Sequence, residues 1–120
     1  MQIIYASKTG NIPKFLAKAG VENALKIGDM SEIVNEDFIL ITYTTGIGEV
    51  PSEVAAFLKN NHQHLIGVIG SGNKNWGNAF CNGAKTISKT YNSPLLLTFE
   101  LAGNKHDVEK FLQILANFTI

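Results

Sequence analysis

Phe38-Ile39-Leu40-Ile41-Thr42-Tyr43, running into Thr44-Thr45-Gly46-Ile47-Gly48-Glu49-Val50-Pro51, is the stretch that decides the fold. Its first six residues form a nearly continuous β-favouring run. Such a run suits a strand buried on both faces, as in a parallel sheet covered by helices, rather than the alternation of a half-solvated antiparallel strand. This strand is therefore expected at the centre of a sheet. Pro51 then opens a helix with Val54, Phe57 and Leu58 on one face.

Toward the N-terminus, Gln2 to Ala6 reads as a short buried strand, and Ser7-Lys8-Thr9-Gly10-Asn11 forms the turn after it. Ile12, Phe15, Leu16 and Ala19 follow at helical spacing. Pro13 falls in the first turn, where its missing N–H removes no hydrogen bond, and Gly20 should stop the helix. Ala24 to Ile27 reads as a second strand. The link Gly28 to Glu36 carries only Met30, Ile33 and Val34 as apolar residues, too broken for a regular helix, so an abbreviated crossover between strands 2 and 3 is expected. Toward the C-terminus, Leu65 to Gly70 supplies a fourth strand and Ser71-Gly72-Asn73-Lys74-Asn75-Trp76-Gly77 a loop. A helix with Phe80, Ala84, Ile87 and Tyr91 on one face comes next. After Pro94, Leu95 to Leu101 is a fifth strand, and Asn104 caps a last helix carrying Val108, Phe111, Leu112 and Leu115.

Strands alternating with helices imply right-handed crossovers and an α/β, doubly wound five-stranded parallel sheet, here with expected order 2-1-3-4-5 and a single domain spanning residues 1–120. In that order the chain reverses direction between strands 1 and 3, and ligands bind beyond the carboxyl ends of the strands there. The loops after strands 1, 3 and 4 then share one rim. They are also the three loops richest in glycine and hydroxyl groups.

Composition narrows the function. The chain has 120 residues, 45% of them apolar, enough to bury roughly two-thirds of the unfolded surface. Ten lysines balance ten acids and arginine is absent, so no net field draws the chain to nucleic acid or an anionic membrane. No apolar run reaches the roughly 18 residues of a membrane span, and the sequence enters a strand at once, so a cytoplasmic protein is expected. The single Cys81 excludes an internal disulfide and is expected to pack near a helix.

The first strand ends in Tyr5-Ala6-Ser7 rather than in the paired acids of a magnesium-dependent receiver domain, and no nucleoside-triphosphate loop is present. His62 and His64 lack nearby acidic partners in sequence and read as a solvated turn, His106 as a surface residue in a first helical turn; no metal site is expected. Without a nucleophile, base and orienting residue on the rim, the chemistry belongs to a cofactor. FMN fits best. Its phosphate suits Ser7 to Asn11, where backbone N–H groups at a helix N-terminus, two hydroxyls and a glycine substitute for an arginine fork. Ile47, Trp76 and Phe80 can flank a flat ring, and the amides of Asn73 and Asn75 can address its polar edge.

The combination of SKTGN at Ser7 to Asn11, TYTTGIGEVP at Thr42 to Pro51 and GSGNKNWG at Gly70 to Gly77 resembles the NrdI family, flavodoxin-like FMN proteins associated with class Ib ribonucleotide reductase. The last two motifs are the more specific. The broken second crossover and modest length also resemble that family more than a standard electron-carrying flavodoxin; Ile47 departs from it, standing where relatives often place an aromatic residue.

The resemblance implies an accessory flavoprotein rather than an enzyme that reduces ribonucleotides. Reduced by a flavin or flavodoxin reductase or another electron donor, it would convert dioxygen to superoxide or a related oxidant for the dimanganese tyrosyl-radical subunit of the reductase. Ser7, Lys8, Thr9, Gly10, Asn11 and Ile12 would hold the phosphate, while Thr44, Thr45, Gly46, Ile47, Gly48, Ser71, Gly72, Asn73, Asn75, Trp76, Gly77 and Phe80 would surround the ring. Gly46, Ile47 and Gly48 are read as a redox-responsive loop, because glycine lowers the cost of rotating the Gly46–Ile47 peptide toward a newly protonated ring N5. The neutral chain charge should make the second reduction less costly than in a strongly acidic carrier. Glu49 reads as a solvated loop acid, or one that contacts a partner. A general flavodoxin electron carrier is the nearest alternative; a non-redox anion-binding regulatory domain is the other.

Overall fold

A computed structural model describes residues 1–28 and 32–118 of the chain. In order, the elements are β1 (Gln2–Tyr5), α1 (Asn11–Lys18), β2 (Leu25–Lys26), β3 (Phe38–Thr42), α2 (Ser52–Asn61), β4 (Leu65–Gly72), α3 (Asn82–Tyr91), β5 (Leu95–Glu100) and α4 (Lys105–Phe118). Short 3₁₀ segments cover His62–His64 and Lys74–Ala79. The strands form one parallel sheet in the order β2-β1-β3-β4-β5, as the alternation of patterns implies.

All five residues of β3 are buried, and their side chains alternate between two cores. Phe38 and Leu40 join Val54, Phe57 and Leu58 of α2 and Ala84 and Ile87 of α3 on one face. Ile39 and Ile41 join Ile12, Phe15 and Leu16 of α1 and Phe111 of α4 on the other. A run without polar interruption is thus what a strand with helices on both sides requires. The edge strand β2 has only two residues, both exposed, and so offers little template for pairing with another chain.

The crossover from β2 to β3 is compensated by one side chain. No described residue of this link is helical, and Met30 lies outside the described residues. Asn61, fully buried at the end of α2, donates from Nδ2 to the carbonyls of Glu32 and Phe57 and accepts from the Val34 N–H, at 2.7–2.8 Å. It ties the link's main chain to a neighbouring helix where an intervening helix would otherwise satisfy those groups.

Strands β1, β2, β3 and β5 are each shorter than their sequence patterns by one or two residues, and two larger differences fall beside the cavity. β4 continues through Ser71 and Gly72, which pair with Phe99 and Glu100, and Ser71 Oγ donates to the Leu101 carbonyl at 2.7 Å. Residues that look like loop by composition are strand by pairing. Phe80 precedes α3 instead of opening it, because Gly77 (φ +57°, ψ −121°) and the left-handed Cys81 (φ +54°) break the backbone on either side. Asn104 and Asp107 form reciprocal side-chain to backbone bonds of 2.9 Å that start α4, as expected of a cap.

Candidate functional site

The carboxyl ends of β1, β3, β4 and β5 open on a cavity of about 380 Å³ lined by Ser7, Lys8, Thr9, Asn11, Ile12, Tyr43, Thr44, Thr45, Gly46, Ser71, Gly72, Asn73, Trp76, Ala79, Cys81 and Leu101. The loops after β1, β3 and β4 thus meet, at the place where strand order reverses. A fourth contribution, Leu101 after β5, was not anticipated, although any parallel strand delivers its following residue to the same rim.

At one end of the cavity, α1 begins at a left-handed Gly10 (φ +84°) with no side-chain cap. The Gly10 N–H donates to Ser7 Oγ at 3.2 Å, which braces the turn, while the first intrahelical bond runs from Lys14 to the Gly10 carbonyl. Among the described residues the N–H groups of Asn11 and Ile12 have no acceptor, and Pro13 has none to offer. That leaves a helix N-terminus with free donors and a partial positive charge, flanked by the hydroxyls of Ser7 and Thr9 and the ammonium-bearing chain of Lys8.

The middle wall is the loop after β3. Thr45 and Glu49 exchange backbone hydrogen bonds of 2.9 and 2.8 Å, closing a three-residue turn over Gly46-Ile47-Gly48. Both glycines have positive φ, +57° and +86°, which a residue with a Cβ rarely adopts. Ile47 at the tip is 91% exposed. Behind the loop, Tyr43 donates its phenol to Glu53 Oε2 at 2.8 Å; burial, with the Glu53 hydrogen bond and charge added, pushes its pKa up to about 12 and keeps it a neutral donor.

The far wall comes from residues 73–81. Asn73 Oδ1 accepts from the Asn75 N–H at 2.9 Å, and the Lys74 N–H donates to Glu100 Oε2 at 3.0 Å. Trp76 is 44% exposed and stacks on no ring among the described residues. On the same wall Cys81 is 1% exposed, its thiol pushed up to about 11 by burial, which outweighs the lowering by the Lys85 charge and by a backbone hydrogen bond of Phe99. A thiol raised from an ordinary 9.0 to about 11 loses on the order of a hundredfold in thiolate at neutral pH. Iodoacetamide labelling of Cys81 at pH 7.5 should therefore be at least that much slower in folded than in urea-unfolded protein, as followed by mass spectrometry. Equal rates would show that the thiol is open to solvent.

Gly10, Ile47, Gly48, Asn75, Gly77 and Phe80 do not line the cavity. Gly48 is buried behind the loop, Ile47 is exposed to solvent, and the ammonium groups of Lys74 and Lys85 lie over the Phe80 ring, 6.0 and 5.9 Å from its centre. Tyr43, Ala79, Cys81 and Leu101 line it without having been singled out. The two histidines take separate partners: His62 stacks on Tyr91 and bonds the Leu58 carbonyl, whereas His64 faces Asp37 at 3.3 Å. Among the described residues no helix is long and apolar enough to cross a membrane.

The family model described as "NrdI Flavodoxin like" matches residues 3–113, which takes in all four cavity loops. The chain belongs to the NrdI flavodoxin-like family. A solved structure described as a short-chain flavodoxin associated with a non-canonical PDU bacterial microcompartment superposes with a TM-score of 0.66. It is 21% identical over 99% of this chain and 97% of that one, a likeness of fold. Membership of the NrdI family implies a flavin cofactor, and the cavity suits one. Uncapped helix N–H groups and hydroxyls come from the loop after β1 and an exposed indole from the segment after β4, a combination suited to an anionic tail and a flat ring.

Proposed function

We propose that this protein binds FMN and, when reduced, generates superoxide or a related oxidant from dioxygen to activate the dimanganese tyrosyl-radical subunit of a class Ib ribonucleotide reductase. The observation that carries the reading is the convergence of the loops after β1, β3 and β4 on one cavity, which brings an uncapped helix N-terminus and hydroxyls together with an exposed indole.

When bound, FMN supplies the electron transfer to dioxygen, and the chain's residues supply position and hydrogen bonds. Ser7, Thr9 and the N–H groups of Asn11 and Ile12 hold the phosphate, with Lys8 the nearest cation in sequence. Trp76 covers ring surface, and Asn73 presents an amide at the same wall. Gly46 lies on the cavity, and its carbonyl has no hydrogen-bond partner among the described residues, so it would be available to accept a hydrogen bond from a flavin held there. The formal net charge of zero leaves no surplus of acids to oppose an anionic reduced ring.

The test is anaerobic reduction of the FMN-loaded protein, then mixing with oxygen and the manganese-loaded subunit, with flavin absorption and the tyrosyl radical recorded together. Radical should form in proportion to this protein and stay at background without it. An equal radical yield in its absence removes the activating role and leaves a general electron carrier. Purification without flavin, together with failure to bind added FMN, favours an anion-binding domain instead.

A further inference from the structure

The loop that carries Gly46 is held from behind by the start of α3. Asn82 Nδ2 donates to the Gly48 carbonyl at 2.6 Å, and the Gly83 N–H donates to Thr44 Oγ1 at 2.9 Å. These contacts bridge residues 34 and 39 positions apart in the sequence. Gly48 is buried against Asn82 and Ala79 so closely that a Cβ there would meet Asn82 Nδ2 at 3.0 Å. Gly46, two residues earlier, is exposed.

Peptide by peptide, the consequence is asymmetric. The Gly48–Glu49 plane is pinned on both sides, its carbonyl by Asn82 and its N–H by the Thr45 carbonyl at 2.8 Å. The Gly46–Ile47 plane has no hydrogen bond at either end among the described residues. A plane held at both its polar groups cannot rotate without breaking two bonds, whereas one held at neither rotates at the cost of its torsions alone.

We propose that Asn82 is a positioning residue for the flavin: by fixing the Gly48–Glu49 peptide it confines rotation to Gly46–Ile47, so that the loop presents one carbonyl to the ring rather than several competing arrangements. This rests on the flavin reading of the cavity. Asn82 itself does not line the cavity and acts through the loop.

The substitutions Asn82→Asp and Asn82→Ala test it. Asp keeps the shape and suits the first turn of a helix, so α3 is retained while the donor toward Gly48 is lost. Losing a hydrogen bond of about 1.4 kcal/mol corresponds to roughly tenfold. In flavin-free protein the Glu49 amide should accordingly exchange with deuterium about tenfold faster in both variants. The Lys85 amide, which donates to the carbonyl of Cys81 at the N-terminal boundary of α3 at 3.1 Å, should keep its rate in Asn82→Asp. With FMN bound, the separation between the two one-electron reduction potentials should narrow in the same variants. Unchanged Glu49 exchange in both overturns the clamp, and faster exchange with unaltered potentials overturns the positioning role. Failure of the unmodified protein to bind FMN overturns that role together with the flavin reading, while the exchange measurement still judges the clamp alone.

Discussion

Phe15→Ala should lower the unfolding free energy of the flavin-free protein by about 3–5 kcal/mol, the usual cost of emptying a buried phenylalanine site. Phe15 is fully buried where α1, β5 and α4 meet. Its ring stacks on Phe99 with centroids 4.0 Å apart and 13° between planes, and meets Phe111 edge-on at 5.1 Å. Three helices or strands therefore lose a common contact when the ring goes, and neighbours already locked by one another cannot collapse freely into the space. Gly103 adds a further constraint, since a Cβ there would lie 2.6 Å from the Phe15 ring. The turn from β5 into α4 is thus moulded on this side chain. Urea denaturation followed by circular dichroism measures the loss, and flavin should be absent because a ligand specific to the folded state adds stability by mass action. A loss below about 1 kcal/mol would mean that the second core repacks around the gap, against the close contacts described above.

The same residue illustrates what could be read from sequence. Ile12, Phe15 and Leu16 announce the buried face of α1 because a helix repeats every 3.6 residues, and the uninterrupted run in β3 announces cover on both sides of the sheet. Those two patterns give a parallel sheet with helices on both faces, and the expected order 2-1-3-4-5, which the sheet has, puts the loops after β1, β3 and β4 on one rim. The stacking of Phe15 on Phe99 does not, because it joins residues 84 positions apart and periodicity carries no information across that distance. The same holds for Asn82 against Gly48 and for Tyr43, Cys81 and Leu101 around the cavity. Local conformations were hidden for a different reason. Cys81 takes a left-handed backbone that a cysteine seldom adopts, and tertiary packing imposes it, so the four-residue spacing from Phe80 to Ala84 imitates a helix that starts two residues too early. Ser71 and Gly72 read as loop by type and become strand because β5 continues alongside them.

Gly72→Val separates the site from the fold. Gly72 lies at the end of β4 on the cavity wall, and its backbone is one that any residue can adopt, so the objection to a side chain there is spatial. A Cβ would meet the Cys81 backbone nitrogen and sulfur at 3.0 Å and the Phe80 ring at 3.1 Å. Two of the three contacts belong to flexible or peripheral groups, but the backbone nitrogen cannot give way without moving the segment that leads into α3. That segment carries Ala79 and Cys81 into the cavity and positions Asn82 behind the Gly46–Gly48 loop. Overpacking of this kind costs about 1–3 kcal/mol. Because the strain is relieved by shifting the far wall, most of it should appear in cofactor binding, as a rise of about 5- to 150-fold in the FMN dissociation constant. Gly72→Ala should move in the same direction by less. The measurement is quenching of flavin fluorescence on titration, with circular dichroism to establish that the sheet persists. Unmodified affinity in a folded Gly72→Val protein would place the flavin away from this wall, and with it the assignment of Trp76 as the residue that covers the ring.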